Sequence, residues 1–255
     1  MWADGVRSAN TLPARLLDMR PIRYARIGGA LYLVIIVAGI VGPLLTREQL
    51  IGPDAQTTAH NIAASPELWR LGIAVDVVMQ VCDVPVMLIL FLLLSPVNRN
   101  VAILALLFNV VQTAALVANQ LTLVAALLST DQPALTDVAI RMYSYGEALG
   151  LVFFGFTLLA EGYLIRHSGY LPWILGLLVQ IAGVSYLINS FLLLVAPDLV
   201  NQLANIVILV PAFVAELSLA LWLLLKGVDA AKWESRIHSM GAFQGAFSGS
   251  EAGTR

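Results

Sequence analysis

The sequence predicts an all-α integral membrane protein, a six-transmembrane-helix bundle with its N-terminus and C-terminus both cytoplasmic. Three observations predict it. Of the 255 residues, 59% are hydrophobic and 12% charged, half the roughly 25% charge of a soluble domain, so most of the surface lacks the polar coat that water requires. Six apolar runs each approach or exceed the ~20 residues that a helix needs to cross a bilayer. Lys and Arg gather on one side of those runs.

In chain order, residues 1–26 form a polar, Arg-containing cytoplasmic leader with Pro13 and Pro21. The first apolar run begins only at Ile27, is as long as a bilayer is thick and lacks a small-residue cleavage site after it, so it reads as a retained span rather than a signal peptide. The spans cover 27–45, 69–94, 101–128, 143–165, 171–195 and 203–225, within a transmembrane domain of 27–226. Only a helix satisfies all its backbone polar groups inside one such segment. Turn chemistry separates the runs, at Gly42-Pro43, Ser95-Pro96, Asp131-Gln132-Pro133, Ser168-Gly169 and Ala196-Pro197-Asp198. The outer loop 46–68 holds Asp54, expected to cap a short surface helix through about Ala64. The tail 227–255 is expected to be cytoplasmic and partly disordered, with Trp233 between Lys232 and Arg236 as an interfacial anchor.

Orientation follows from the cations. With the N-terminus inside, the inner segments hold Arg7, Arg15, Arg20, Arg23, Arg26, Arg99, Arg166, Lys226, Lys232, Arg236 and Arg255; the outer side holds Arg47, Arg70 and Arg141. The net charge of −2 and the absence of a Lys/Arg-rich run offer nothing to nucleic acid. Cys82 alone precludes an internal disulfide and reads as a small hydrophobe. His60, His167 and His238 fall in separate polar segments, so neither a metal centre nor a cofactor is expected. Nucleophile-elbow, zinc-protease, P-loop and dinucleotide motifs are missing, so no catalytic residue is assigned.

The informative residues are polar ones inside spans. Asp76, Gln80 and Asp83 recur at i, i+4 and i+7, which at 100° per residue gives one narrow face, shared with Gly72 and Met87. Asn109, Gln112, Thr113 and Gln120 lie on one side of the third span. Glu147 and Glu161 share a face of the fourth with Gly150 and Phe154. Glu216 sits mid-depth in the sixth, with Asn205 on the same face. An Asp at the centre of a spanning helix costs about 2.5–3.5 kcal/mol on insertion scales, so these faces should turn inward. No Lys or Arg lies deep in a span, so the acids are expected to lack a cationic partner. Asp76, Gln80, Asp83 and Glu216 are therefore candidate proton- or cation-binding residues, with Asn109, Gln112 and Glu161 as a supporting polar interior. The plainer reading stands beside it: hydrogen-bonded acids also hold helices together. Glu147, at the outer boundary near Arg141, fits that plainer role. Gly146 and Gly150 match a small-xxx-small packing pattern, and Pro85 and Pro211 interrupt the second and sixth spans close to Asp83 and Glu216.

Five phrases occur together and in order: Arg26-Ile27-Gly28-Gly29-Ala30-Leu31-Tyr32; Trp69-Arg70-Leu71-Gly72 with Asp76; Leu94-Ser95-Pro96-Val97-Asn98; Gly150-Leu151-Val152-Phe153-Phe154-Gly155; and Ser168-Gly169-Tyr170-Leu171-Pro172. From Arg26 to Lys226 the chain thus resembles the bacterial membrane-protein family catalogued as domain of unknown function 4386. It departs from the usual form at Gly29-Ala30, where bulkier residues are common. The resemblance implies a multi-pass bacterial membrane protein and supplies no reaction or catalytic residue; the expected location is the bacterial inner (cytoplasmic) membrane.

Two functions stay open. One is a small proton- or cation-linked transporter or channel; the other is a non-catalytic scaffold, sensor or accessory subunit. A lipid-acting enzyme would need a nucleophile or metal cluster that the sequence does not display. The expected partner is the lipid bilayer. No protein partner is indicated, and a homo-oligomer is compatible with the pattern.

Overall fold

The computed structural model describes residues 20–199 and 202–239, with side chains outside 202–208. These residues are helical and contain no strand. The long helices are α1 (Pro21–Leu45), α3 (Pro66–Leu94), α4 (Arg99–Leu128), α5 (Pro133–Ser168), α6 (Trp173–Val195) and α7 (Gln202–Leu225). Two shorter helices complete them, α2 (Ala55–Ala64) and α8 (Ala230–Ser239).

Local chemistry sets the ends. Proline occupies the first turn of α1, α3 and α5, where its missing N–H is no loss. Asn98 caps α4 by accepting from the amides of Asn100 and Val101. Asp54 caps α2, accepting from the Thr57 amide at 2.8 Å, as the loop sequence predicts. α1 starts at Pro21, ahead of the apolar run at Ile27. Residues 1–19 of the leader and the last stretch of the tail lie outside the described residues.

Five helices are long and apolar enough to cross a membrane: α1 with the 3-10 turn Arg47–Gln49 that follows it, α3, α4, α5 and α6. A sixth is reached when Leu209–Leu225 is taken together with α8, from which it bends by 96°. The six long helices pack in a closed ring in chain order, α1 to α3, α4, α5, α6, α7 and back to α1. Their outward faces are apolar; on α3 alone Val77, Val78, Val81, Val84 and Leu88 are exposed, which suits hydrocarbon rather than water.

Small residues set the closest crossings. Gly162 of α5 faces Gly176 of α6, and Gly155 faces Gly183, so that a Cβ on any of the four would strike the opposite backbone. Such pairs let helix axes approach where lipid offers no hydrophobic drive for association. The small-xxx-small pair read from the sequence does something else: Gly146 and Gly150 make room for the side chains of Asn119 and Leu116 on α4.

Trp233 departs from its expected role. It is 0% exposed and donates its indole N–H to the Leu93 carbonyl at 3.0 Å. Tyr170 donates to the same oxygen at 2.6 Å. Leu93 lies in the last turn of α3, where carbonyls lack helical partners. Trp233 therefore fastens α8 beneath the ring instead of anchoring it in lipid.

Candidate functional site

The spacing of α3 builds the site's first wall. Its buried positions include Trp69, Gly72, Asp76, Gln80, Asp83, Met87, Leu90 and Leu94, one stripe at steps of three or four residues. The stripe is apolar at its ends and polar in its middle, so burying it brings Asp76, Gln80 and Asp83 inside. Asp76 and Asp83 are separated by about 10 Å along the helix axis. The inward stripe of α4 adds Asn109, Gln112, Asn119 and Gln120. Glu161 on α5 and Glu216 on α7 are also buried.

At the level nearest the α1–α3 connection, Asp76 forms a buried ion pair with Arg47. Arg47 also reaches Tyr143 of α5: its Nη2 donates to the phenol oxygen at 3.4 Å, and the guanidinium lies 5.1 Å from the ring centroid. The expectation that every interior acid lacks a cation thus fails at Asp76. Thr46 and the 3-10 turn after α1 fold back over the bundle, and Gly72 leaves room for Thr46 and the Arg47 stem against α3. Sequence reasoning missed Arg47 because it placed the residue in an outer loop; its position two residues beyond the α1 terminus was the available signal. Glu147 is exposed, and Arg141 pairs with Asp137 at 2.8 Å rather than with Glu147.

One level deeper, Asp83 accepts from Asn109 at 3.1 Å and from Thr113 at 2.6 Å. Asn109 also donates to Gln112 at 2.8 Å. Between these levels the side-chain carbonyls of Gln80 and Gln120 are buried and have no hydrogen-bond partner among the described residues. Such orphaned acceptors are costly in an apolar interior.

The third group joins α1, α6 and α7. Tyr32 donates to Glu216 Oε2 at 3.0 Å and Tyr186 to Oε1 at 2.6 Å. Phe154 packs edge-on against Tyr186, with centroids 5.2 Å apart. Asn205 lies outside the described side chains. Glu161, 3% exposed, makes no hydrogen bond or ion pair among the described residues. It is the one polar group lining a cavity of about 10 Å³ between α3, α4 and α5, beside Met87, Leu90 and Ala105. That space is close to the minimum for one water. Asp83, Glu161 and Glu216 lie within electrostatic range of one another. Asp76 belongs to the separate Arg47 level. Of the four acids, Glu161 alone lines that cavity.

The two ends of the bundle differ in charge. The end bearing Arg20, Arg23, Arg26, Arg99, Arg166, Lys226, Lys232 and Arg236 has only Asp229 and Glu234 as acids among the described residues. At the opposite end, Arg70 and Arg141 are paired with Glu67 and Asp137. Glu48, Asp54, Asp131 and Asp198 are exposed there without an ion pair among the described residues.

The family model described as Domain of unknown function (DUF4386) matches residues 27–227. A protein from Archaeoglobus fulgidus, described as an uncharacterized protein, is 33% identical over 147 residues, 58% of this chain and 78% of that relative. No solved structure matches. The match covers nearly the whole helical region: the chain belongs to the DUF4386 family.

Proposed function

We propose that the chain spans the cytoplasmic membrane of a bacterium six times with both termini inside, and that it moves protons or a small cation through the ring. The cation-rich end, which carries α8, supports that orientation by the positive-inside rule. The observation that carries the transport reading is the group Asp83, Glu161 and Glu216: three neighbouring buried carboxyls with no Lys or Arg partner among the described residues. Intramembrane carboxyls that lack a cationic partner commonly mark proton or cation pathways. Gln80, between Asp83 and the Arg47 level, offers an unpartnered carbonyl as a further acceptor. The four exposed acids at the opposite end would concentrate cations near the entrance.

The test is flux in proteoliposomes under an imposed pH or cation gradient. Wild-type protein should dissipate the gradient, and Asp83→Asn and Glu216→Gln should each abolish most of the flux while the proteins stay folded. Unchanged flux in both variants would refute the reading. One observation favours the scaffold alternative: Asp83 and Glu216 each already accept two hydrogen bonds, enough to hold helices together without a ligand. That alternative expects no flux from the purified chain and a stoichiometric protein partner on affinity purification from native membranes.

A further inference from the structure

We propose that the cleft beneath α8 binds the phosphate of an anionic phospholipid headgroup. The inference is independent of the buried acids and rests only on α7 crossing a bilayer.

α8 is two-faced. Trp233 and Ile237, one turn apart, are buried against the ring together with Val228 from the preceding loop. About 150° round the helix axis, Ala231, Lys232, Ser235, Arg236 and Ser239 are exposed and form one wall of a cleft of about 470 Å³. Ser168 and Gly169, at the end of α5, form the other wall. The volume lies within the ~300–1,000 Å³ of small-ligand sites. Gly169 holds φ +75°, and a Cβ added there would meet no atom within 4 Å, so bare backbone borders open space.

The lining chemistry selects a phosphate. Arg236 makes no ion pair among the described residues, and a guanidinium matches phosphate oxygens in a fork. Lys232 lies 3.3 Å from Asp229, which neutralises part of its charge. The Ser235 hydroxyl is exposed and makes no hydrogen bond among the described residues, which leaves it free to donate. No carboxylate lines the cleft. The helix bends by 96° from Leu209–Leu225, so α8 runs across the bundle's end, at the depth where headgroups lie if α7 crosses the bilayer. A membrane-plane helix that buries one apolar face and offers cations on the other is suited to anionic lipid.

The test uses the full-length chain in neutral detergent and native mass spectrometry after adding phosphatidylglycerol or phosphatidylcholine. Wild type should retain phosphatidylglycerol preferentially. Lys232→Gln with Arg236→Gln should weaken that retention roughly tenfold, the expectation for one full and one half-neutralised surface charge. Arg23→Gln with Arg26→Gln, which removes equal charge at the same end but outside the cleft, should change it little. If the double variant aggregates, Arg236→Gln alone serves, with a several-fold loss expected. Equal retention of the two lipids, an undiminished phosphatidylglycerol signal in the cleft variant, or an equal loss in the Arg23/Arg26 variant would overturn the proposal. So would displacement of the lipid by inorganic phosphate at comparable concentration, since the ligand would then be a soluble phosphate compound.

Discussion

Replacing Arg47 with Met leaves Asp76 inside the bundle without its cation. The side chains of Arg47 and Asp76 are 11% and 4% exposed, so the pair is buried, and removing one member strands an uncompensated charge. The cost of breaking such a pair is about 3–5 kcal/mol, a large share of the ~5–15 kcal/mol that a folded domain has in hand. Tyr143 cannot make up the loss: its hydroxyl lies 3.4 Å from Asp76, a long and weak contact. Changing Asp76 to Asn as well removes the stranded charge and restores most of the stability, because an apolar or neutral replacement of both partners is often close to neutral. Thermal unfolding in detergent of wild type, Arg47→Met, Asp76→Asn and the double variant closes the cycle. The expected coupling is at least about 2 kcal/mol. Additive effects of the two substitutions would refute the ion pair, and with it the placement of the 3-10 turn over the bundle.

The α5–α6 crossing predicts that Gly162→Leu destabilises by at least about 1–3 kcal/mol, because the first added carbon would lie 2.5 Å from the Gly176 carbonyl oxygen. Gly39→Ala, which meets only the flexible Met79 sulfur at 3.2 Å, should stay near wild type in the same unfolding assay. The Thr57 amide and hydroxyl hold the Asp54 carboxyl below its ordinary value of 3.8. A depressed carboxylate stabilises the fold above its unfolded value and loses that contribution as pH falls through the folded one. Hydrogen exchange at the α2 amides should thus accelerate only below about pH 4. Asp54→Asn, which keeps a capping oxygen, should remove that acid step.

The ring's wall residues were legible where helical geometry alone decides. Asp76, Gln80 and Asp83 share a face at 100° per residue whatever packs against them, and the cost of exposing them to lipid turns that face inward. Asp54 was legible for the same reason, since an N-cap needs only its own next turn. What depends on the return of distant chain was not legible. Arg47 precedes Asp76 by 29 residues, and only the fold-back after α1 joins them. Glu216 meets Tyr32 across 184 residues because α7 closes the ring against α1, a contact that no local spacing encodes. Trp233 was misread from its charged neighbours. The period told otherwise, for Trp233 and Ile237 stand one turn apart and are both buried, while Lys232 and Arg236 are exposed.

The chemistry of the partners separates the levels of the ring. Acids come from α3, α5 and α7, which run one way; the donors Tyr32, Asn109, Thr113 and Tyr186 come from α1, α4 and α6, which run the other. A guanidinium offers donors and no acceptor, so Arg47 can only donate to Asp76 in their buried pair. Hydroxyls donate or accept as their protons rotate. Thr113 has a second acceptor within reach, Asn109 Oδ1 at 3.4 Å, so its proton can turn away from Asp83 and leave its oxygen free to accept. On the proposed reading, a proton that reaches Asp83 meets a hydroxyl that can re-orient around it, whereas one that reaches Asp76 must first break the Arg47 pair. Proton or cation exchange then belongs to the middle of the bundle, with the Arg47 level acting as a fixed charge above it.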